Sequence, residues 1–298
     1  MSAVCEIRYV GYGVPDFESE RSFYRDKWGL KEVQADDRTA CFSADGSDEL
    51  YVVKLRRAPE KRLDVISLAA PDRAAVDALF KQVQAAHCKI IFAPRALDQL
   101  GGGYGFRFFS PDGLSFEISS DVQRGMVRPI APGAAIPEKI SHIVLHSPQH
   151  KALTDFFINV LGFKLSDWLG DFMSFLRCNE WHHRIAILPG PPCLNHVAYD
   201  MLNVDEMMRG VGKLKRLKTD ILWGPGRHTA GNNTFSYFVT PNGFPVEYTA
   251  DLERVGDDWQ ATVHAPSPSV MDQWGFGAGG PHSMPHPEPD KGLFQVGE

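Results

Sequence analysis

The chain has 298 residues, enough for two domains, and its 43% hydrophobic and 23% charged residues are typical of a soluble globular protein. The formal net charge of −6, with an isoelectric point near 6.0, argues against a nucleic-acid partner. No apolar run or basic leader predicts a membrane span or a signal peptide, and five cysteines without a Cys-x-x-Cys pair favour a reducing, cytoplasmic location.

The first half of the sequence predicts two rounds of a strand, a helix and further strands. The first round opens with a strand at residues 7–14 and a helix at 16–28, for which Asp16 is the N-cap and Gly29 the end. The remaining elements are predicted at residues 40–43 and 50–55 (strands), 63–68 (strand), 71–86 (helix), and 89–93, 105–110 and 115–119 (strands).

Residues 121–137 divide the chain. They contain three prolines, two glycines and little periodicity, which predicts a linker. After it the pattern begins again, with a strand at 140–147 and a helix at 150–161 that Gly162 ends. The predicted units are an N-terminal domain (1–120), the linker (121–137), a C-terminal domain (138–266), and a Pro/Gly-rich tail (267–298) that we expect to be extended on the surface or partly disordered.

The two halves are copies of one another. FYRDKWGLK at 23–31 aligns with FFINVLGFK at 156–164, an offset of 133 (156 − 23). SPDGLSFEISSD at 110–121 aligns with TPNGFPVEYTAD at 240–251, an offset of 130 (240 − 110). An internal repeat is stronger evidence for the fold than secondary structure assigned segment by segment, because both copies must form the same unit. The sequence therefore predicts an α+β fold of four βαβββ modules, paired into two domains that each curl a sheet into an open barrel.

The stretch at residues 226–251 indicates where the chemistry lies. It predicts a loop carrying His228, a strand through Tyr237, a tight turn at 240–243 and a second strand with Glu247 at its centre. A carboxylate inside a buried strand is costly unless something pairs with it. Two histidines upstream indicate that this partner is a metal ion.

Comparing the copies identifies these histidines. His142 aligns with Tyr9 of the first half. His196 aligns with Leu63, whereas Glu247 aligns with another glutamate. Two imidazoles and one carboxylate on three strands form a facial triad with open positions, which is typical of non-haem Fe(II) that activates dioxygen, although Mn(II) accepts the same ligands. We expect the metal only in the second half, because the first half lacks both histidines and keeps only Glu117.

Further histidines and polar residues lie near the predicted ligands in the sequence. His182 and His183 lie at the start of a predicted strand, where adjacent side chains point to opposite faces, so only one of them can face the metal. The histidine of this pair that faces the metal, and His228, can both donate and accept protons near neutral pH. Asn195 and Asp200, beside His196, are expected to support the ligand residues or to form a turn, and His282 and His286 in the tail are not expected to be ligands.

The second half resembles the type I extradiol (meta-cleavage) ring dioxygenases of the vicinal oxygen chelate superfamily, which share the glyoxalase/bleomycin resistance-like fold. The matching stretches, in order, are ISHIVL, FLRCNEWHHRIAI, LNHVAYD and GRHTAGNNTFSYFVTPNGFPVEY. The resemblance covers about residues 1–265, including a metal-free N-terminal domain. It implies cleavage of a catechol beside its hydroxyls, with dioxygen as co-substrate, in aromatic-compound degradation by a homo-oligomer. One departure is Ser236, where an apolar residue is usual, and it bears on local packing.

The resemblance also implies the role of each residue. The Fe(II) ligands would be His142, His196 and Glu247. His183 would be the acid–base histidine, with His228 and Tyr237 around the catechol oxygens and dioxygen. The pocket residues would be Val144, Phe175 and Ala186. The even spacing of Val144 from His142 supports its assignment on a strand, whereas the odd spacing of Ala186 from His183 does not.

Two other classes of function fit the same module. A glyoxalase-like isomerase or thiol transferase usually binds metal through more carboxylates and lacks counterparts of His183 and Tyr237. A metal-free binding module, like the drug-sequestering relatives, would resemble the first half with Tyr9 and Leu63. Oxygen uptake with a catechol, after anaerobic loading with ferrous iron, separates the three classes. The sequence does not name the catechol.

Overall fold

In the computed structural model, which describes residues 4–293, the chain forms two sheets of one design. The strands of the first sheet are β1 (Glu6–Val14), β2 (Lys31–Ala35), β3 (Thr39–Ser43), β4 (Val53–Arg57), β5 (Arg62–Ala69), β6 (Ile90–Ala96), β7 (Tyr104–Phe109) and β8 (Ser115–Ser120). Its helices are α1 (Phe17–Ser22), which continues as a π-helix (Phe23–Trp28), and α2 (Arg73–Ala85).

The second sheet has ten strands. They are β9 (Pro137–Ser147), β10 (Lys164–Leu169), β11 (Met173–Arg177), β12 (Ile185–Pro189), β13 (Cys193–Met201), β14 (Trp223–Arg227), β15 (Thr234–Val239), β16 (Pro245–Ala250), β17 (Thr262–His264) and β18 (Ala278–Gly279). The accompanying helices are α3 (His150–Asn159), α4 (Val204–Arg216), α5 (Pro268–Met271) and a 3₁₀ turn (Pro281–Ser283). Among the described residues, no helix combines the length and the apolar character that a membrane crossing requires.

The strand order confirms the predicted duplication. The first sheet runs β2-β3-β4-β1-β5-β8-β7-β6, and the second contains the same sequence of neighbours, β10-β11-β12-β9-β13-β16-β15-β14. Strands β17 and β18 are additions, one at each edge of the second sheet. Each half therefore consists of two βαβββ modules, as the sequence predicts, and the two halves form two domains of an α+β fold.

Strand register corrects one part of the internal comparison. The residue paired with the glutamate of β16 is Ala198, and the residue paired with the equivalent glutamate of β8 is Ser67. Because His196 precedes Ala198 by two positions, its counterpart in the first half is Val65, two positions before Ser67. The alignment with Leu63 is therefore wrong by two residues. Its constant offset of 133 does not hold, because the loops of the two copies differ in length.

The first helix agrees with its sequence signals. The carboxylate of Asp16 accepts a hydrogen bond from the backbone N–H of Ser19 at 3.2 Å and caps α1, and Gly29 ends the π-helix with a φ of +96°. The helix aromatics, among them Trp28, are buried. Strand β2 escaped prediction because its sequence, KEVQA, is mostly exposed and lacks an apolar alternation.

The two domains share one core. The indole of Trp28 stacks on Tyr248 of the second domain with ring centroids 3.9 Å apart, and the Tyr248 hydroxyl donates a hydrogen bond to the Trp28 carbonyl at 2.7 Å. One cluster of buried side chains contains residues from both sheets. Packing of each sheet against the other therefore helps to hold both in place. The second sheet carries His142 and His196.

The segment after residue 266 wraps on the surface, one of the two expected alternatives. Strand β18 pairs with β14, with Gly279 opposite Trp223. Further along, the carboxylate of Asp290 accepts a hydrogen bond from the backbone N–H of Leu63 at 2.8 Å. The segment is therefore held by both domains. Residues 1–3 of the predicted N-terminal domain and 294–298 of the predicted tail lie outside the described residues.

Candidate metal centre and catalytic cavity

Three neighbouring strands bring the predicted ligands together. Strand β13 lies between β9, which carries His142, and β16, which carries Glu247. The possible ligand atoms of these two residues and of His196 all lie within 4.8 Å of one another, and all three residues are buried. One carboxylate oxygen of Glu247 lies 2.9 Å from Nε2 of His196 and 3.4 Å from Nε2 of His142.

The donor atoms fit a divalent metal ion. Glu247 is fully buried, and neither of its oxygens makes a hydrogen bond of acceptable geometry with the described residues. Burial by itself raises the pKa of this carboxyl, but His142 and His196 lower it below its usual range. A buried, ionised carboxylate without hydrogen-bond donors is costly, and a cation between it and two imidazoles removes that cost.

In the first half, an arginine compensates the charge of the corresponding glutamate. Glu117 is also fully buried, but its carboxylate accepts hydrogen bonds from Nε of Arg107 at 2.8 Å and from the hydroxyl of Ser67 at 3.0 Å. Arg107 pairs with Glu117 in the same register in which Tyr237 pairs with Glu247. The charge of Glu117 is thus compensated inside the protein, which favours metal binding in the second half alone.

A cavity of about 470 Å³ opens beside the triad. Val144 and Phe175 line it, as the resemblance implied. Ala186 does not line it, which corrects that assignment. It is paired with Phe175 on one side and with Val144 on the other, so its short side chain lies on the same face, fully buried between their larger ones. The other apolar residues of the wall from the sheet and its loops include Leu169, Phe172, Met173, Leu188, Trp223 and Ala230.

Of the two adjacent histidines, only His183 faces the cavity. Its ring lies 4.4 Å from the ring of His142 and 5.1 Å from that of Phe175, whereas His182 is turned toward Asp167. Burial and the neighbouring His142 lower the pKa of His183 well below its usual value, so its imidazole is neutral. The pair lies in an irregular segment before β12, so the expected strand, and the alternation based on it, is wrong here even though the chosen residue faces the cavity.

His228 and Tyr237 form a second polar wall. His228 directly follows strand β14, where the sequence predicted only loop. Its Nδ1 lies 2.6 Å from the carbonyl oxygen of Met271, which can only accept, so Nδ1 carries the proton. Its Nε2 therefore accepts a hydrogen bond from the Tyr237 hydroxyl at 3.0 Å. Burial lowers the pKa of His228 and raises the pKa of Tyr237, which keeps both groups neutral.

The tail completes the cavity, and the sequence did not reveal this role. Residues of this segment that line the cavity are Val270, Met271, Pro281, His282, Met284, Pro285, His286 and Pro287. The group of possible ligands found among the described residues does not include His282 or His286. Proline- and glycine-rich composition has no periodicity that would place a side chain, so no sequence signal was available.

Comparison with known proteins decides the family. The family model described as Glyoxalase/Bleomycin resistance protein/Dioxygenase superfamily matches residues 6–118 and 139–248, one stretch in each copy. The chain belongs to this superfamily. The two matched stretches correspond to the two sheets, so the family assignment covers the duplicated architecture and the strands that carry the triad.

Three similar proteins illustrate the range of this superfamily. A crystal structure named as the Mn(II)-bound glyoxalase from Novosphingobium aromaticivorans is 64% identical, with a TM-score of 0.97, and the match covers 100% of this chain and 99% of that one. Metapyrocatechase 2 from Cupriavidus necator is 26% identical, covering 92% of this chain and 89% of its own. Biphenyl-2,3-diol 1,2-dioxygenase from Paraburkholderia xenovorans is 27% identical, covering 92% and 95%.

Within this superfamily fold, a chain of hydrogen bonds orients His196. The Pro189 carbonyl accepts from Nδ1 of His146 at 2.9 Å, so Nε2 of His146 is an acceptor for the Asn195 amide N–H at 2.7 Å. The Asn195 carbonyl then accepts from Nδ1–H of His196 at 2.5 Å. This order leaves the lone pair of His196 Nε2 directed at the triad, as a metal ligand requires.

We expect Asn195→Ala to weaken metal binding by about 10–100-fold, the usual effect of removing a group that orients a ligand imidazole. Without the amide oxygen, the His196 ring can rotate or carry its proton on Nε2. Competition with a chelator of known affinity measures the metal Kd. Asn159→Ala, on the exposed end of α3, is the control and should bind metal as the wild type does. An unchanged metal Kd for Asn195→Ala would show that these hydrogen bonds do not orient His196 for metal binding.

Proposed function

We propose that this protein is an Fe(II)-dependent extradiol dioxygenase that opens the ring of a substituted catechol beside its two hydroxyls. The observation that supports this most is that His183, a neutral imidazole, faces the same apolar cavity as the triad formed by His142, His196 and Glu247. Two similar proteins with matches over most of their length carry names of ring-cleaving dioxygenases that act on catechol-type diols.

The residues divide the chemistry between them. When bound, the metal supplies a Lewis acid and a redox-active centre at the open side of the triad. His183 accepts a proton from a diol hydroxyl as the substrate binds and returns it as the ring opens, because its buried imidazole is neutral before the substrate arrives. The His228–Tyr237 pair presents the phenol oxygen to the reactants as a hydrogen-bond acceptor, because its hydrogen is donated to His228. Holding the reactants in one site reduces the entropic barrier.

The cavity indicates a hydrophobic substituent on the catechol. Its wall beyond the triad consists mostly of aliphatic, aromatic and proline side chains, including Phe175 and Leu188. A volume of about 470 Å³ exceeds that of an unsubstituted catechol and falls within the usual range for small-molecule sites. An alkyl or aryl group would displace water from this surface and so contribute to binding.

Fe(II) is the proposed metal, although Mn(II) suits the same ligands and is named for the 64% identical structure. The two metals are separated by preparing the metal-free enzyme anaerobically and loading each ion singly. Turnover by the Fe(II) enzyme alone would support the proposal. Turnover by the Mn(II) enzyme alone would identify Mn(II) as the cofactor in place of Fe(II).

Oxygen consumption tests the reaction itself. With a panel of catechols, we expect one dioxygen consumed per catechol and a coloured ring-opened product. Labelled dioxygen should place both oxygen atoms in that product, which distinguishes ring opening from simple oxidation to a quinone. Heat-denatured enzyme and metal-free enzyme are the controls. Failure of every catechol with the loaded enzyme would contradict the proposed function.

Glyoxalase-like isomerisation is the second candidate, because the 64% identical structure bears that name. The geometry favours it less. Glu247 is the one carboxylate in the group of possible ligands found among the described residues, and the matching glutamate of the first half, Glu117, is paired with Arg107. A thiohemiacetal substrate converted without any oxygen uptake would identify this activity, and the same assay on a catechol would then show none.

We infer a cytoplasmic location and a homo-oligomeric assembly for this enzyme. The five cysteines are free, which supports a reducing compartment. The assembly rests on the resemblance to the dioxygenases. Light scattering after size-exclusion chromatography measures it, and a mass equal to one chain would contradict it.

Phe175→Ala is expected to change the preference among substituted catechols. The side chain lines the cavity, and its removal leaves space for a bulkier substituent while weakening contact with a small one. Such a change in an apolar pocket typically alters relative kcat/KM by about tenfold or more. Phe276→Ala, on an exposed phenyl ring away from the cavity, is the matched control. Equal preference ratios for both variants and the wild type would count against the pocket assignment.

A further inference from the structure

Behind His183, two more side chains form a line of hydrogen bonds that leads away from the cavity. Nδ1 of His183 lies 3.0 Å from Nδ1 of His182, and Nε2 of His182 lies 3.0 Å from a carboxylate oxygen of Asp167. All three side chains are buried. The planes of the His182 and His183 rings stand at 89° to each other, with their centroids 5.3 Å apart.

Asp167 is held as an ionised, acceptor-only group. Its Oδ1 accepts hydrogen bonds from the backbone N–H and the hydroxyl of Thr262 at 2.8 and 3.0 Å, and its Oδ2 lies 2.9 Å from Nε2 of His264. Although burial raises the pKa of this carboxyl, the hydrogen bonds from His182, Thr262 and His264 outweigh that effect and lower it. Asp167 therefore accepts from Nε2–H of His182.

We propose that Asp167 and His182 are positioning residues that fix the tautomer of His183. A neutral His182 that donates through Nε2 presents a lone pair at Nδ1. This lone pair accepts the Nδ1–H of His183 and leaves Nε2 of His183 unprotonated. The acid–base histidine is thus set as a base before any substrate binds. The catalytic use of this tautomer rests on the proposed function, whereas the tautomer itself does not.

The alternative is that Asp167 and His182 only stabilise the fold as a buried ion pair. In that case His182 carries both protons, donates through Nδ1 to His183, and leaves Nε2 of His183 protonated. The two arrangements have the same heavy-atom distances and differ only in which nitrogen of His183 carries the proton. A measurement that locates protons is therefore required.

Nitrogen NMR of the ¹⁵N-histidine-labelled, metal-free protein locates them. We expect the spectrum of His183, identified by its loss in His183→Gln, to show a protonated Nδ1 and an unprotonated Nε2. Sequential assignment of the wild-type protein identifies the same signals independently, so the measurement holds even if the variant does not fold. A protonated Nε2 on His183 would overturn the proposal.

Asp167→Asn tests the cause with an isosteric change. The backbone N–H of Thr262 keeps the amide oxygen at the Oδ1 position, which places the new NH₂ group at the Oδ2 position, facing His182. The amide donates to Nε2 of His182, so His182 must carry its proton on Nδ1 and His183 must carry its own on Nε2. We expect the His183 tautomer to invert and kcat to fall by about 10²-fold or more, with little change in KM or metal content.

His264→Gln is the matched control for this variant, because it removes the other imidazole on Asp167 and leaves the His182 contact intact. We expect the His183 tautomer to stay as in the wild type. An unchanged tautomer in Asp167→Asn, with the fold verified by circular dichroism, would overturn the proposal. Wild-type enzyme that shows the expected tautomer but cleaves no catechol would instead contradict the proposed function and leave the role in fixing the tautomer standing.

Discussion

Replacing Glu247 with glutamine should reduce the metal content from about one ion per chain to nearly none, and ring cleavage with it. The triad has only one carboxylate, and without its charge only the two imidazoles remain to hold a divalent cation in a buried site. The variant should fold, because the amide is isosteric and removes a buried charge that receives no hydrogen bond from the described residues. Elemental analysis of the purified protein gives the metal content directly.

The chain provides its own control for this experiment. Glu117 occupies the same position in the first half, and Glu117→Gln should retain one ion per chain, because Arg107 already compensates that charge. Its cost should appear as a lower melting temperature, since the buried end of Arg107 loses its partner. Two tightly held ions in the wild type, or loss of metal from the Glu117 variant, would contradict the assignment of a single site.

Replacing His183 with glutamine should lower kcat by about 10²–10⁴-fold while metal content and catechol binding persist. This is the usual cost of removing a positioned acid–base group. Glutamine fills the same wall of the cavity but cannot accept a proton from the diol at neutral pH. Steady-state kinetics, together with metal analysis and anaerobic titration of a catechol, separates loss of turnover from loss of binding.

His182→Gln is the companion variant and should be milder. It leaves the His183 imidazole in the cavity, free to adopt either tautomer, whereas Asp167→Asn imposes the wrong one. A dead His182 variant beside a fully active His183 variant would show that the acid–base role had been given to the wrong residue of the pair.

The repeat is what made a group of possible metal ligands visible in the sequence. Within one chain, the two copies show that His142 and His196 depart from an apolar or aromatic pattern, whereas Glu247 does not. The accuracy of comparing the two copies was limited by the strand register, which the sequence does not give directly. The offset between the copies changes along the chain with loop length, so a fixed offset aligned His196 with Leu63 in place of Val65.

Other parts of the site depend on tertiary contacts that no local pattern contains. Asp167 is one residue in a strand, and only its contacts with His182 and His264 reveal its importance. Ala186 shares a face with Val144 and Phe175, and its methyl group is covered by their larger side chains, which strand alternation alone does not predict. The expected strand at His183 is irregular, so the correct residue was chosen by resemblance and not by parity.

The segment after residue 266 has a consequence for how this enzyme can diversify. The triad lies on paired strands, where a shift of one residue would reverse every side chain of the strand. The part of the tail wall at residues 281–287 lies between two attachments, the short edge pairing of β18 and the contact of Asp290. Insertions or substitutions between these anchors can therefore reshape the substrate chamber and leave the ligand geometry unchanged. One part of the substrate chamber is thus encoded apart from the triad, whereas the sheet supplies the rest, including Phe175.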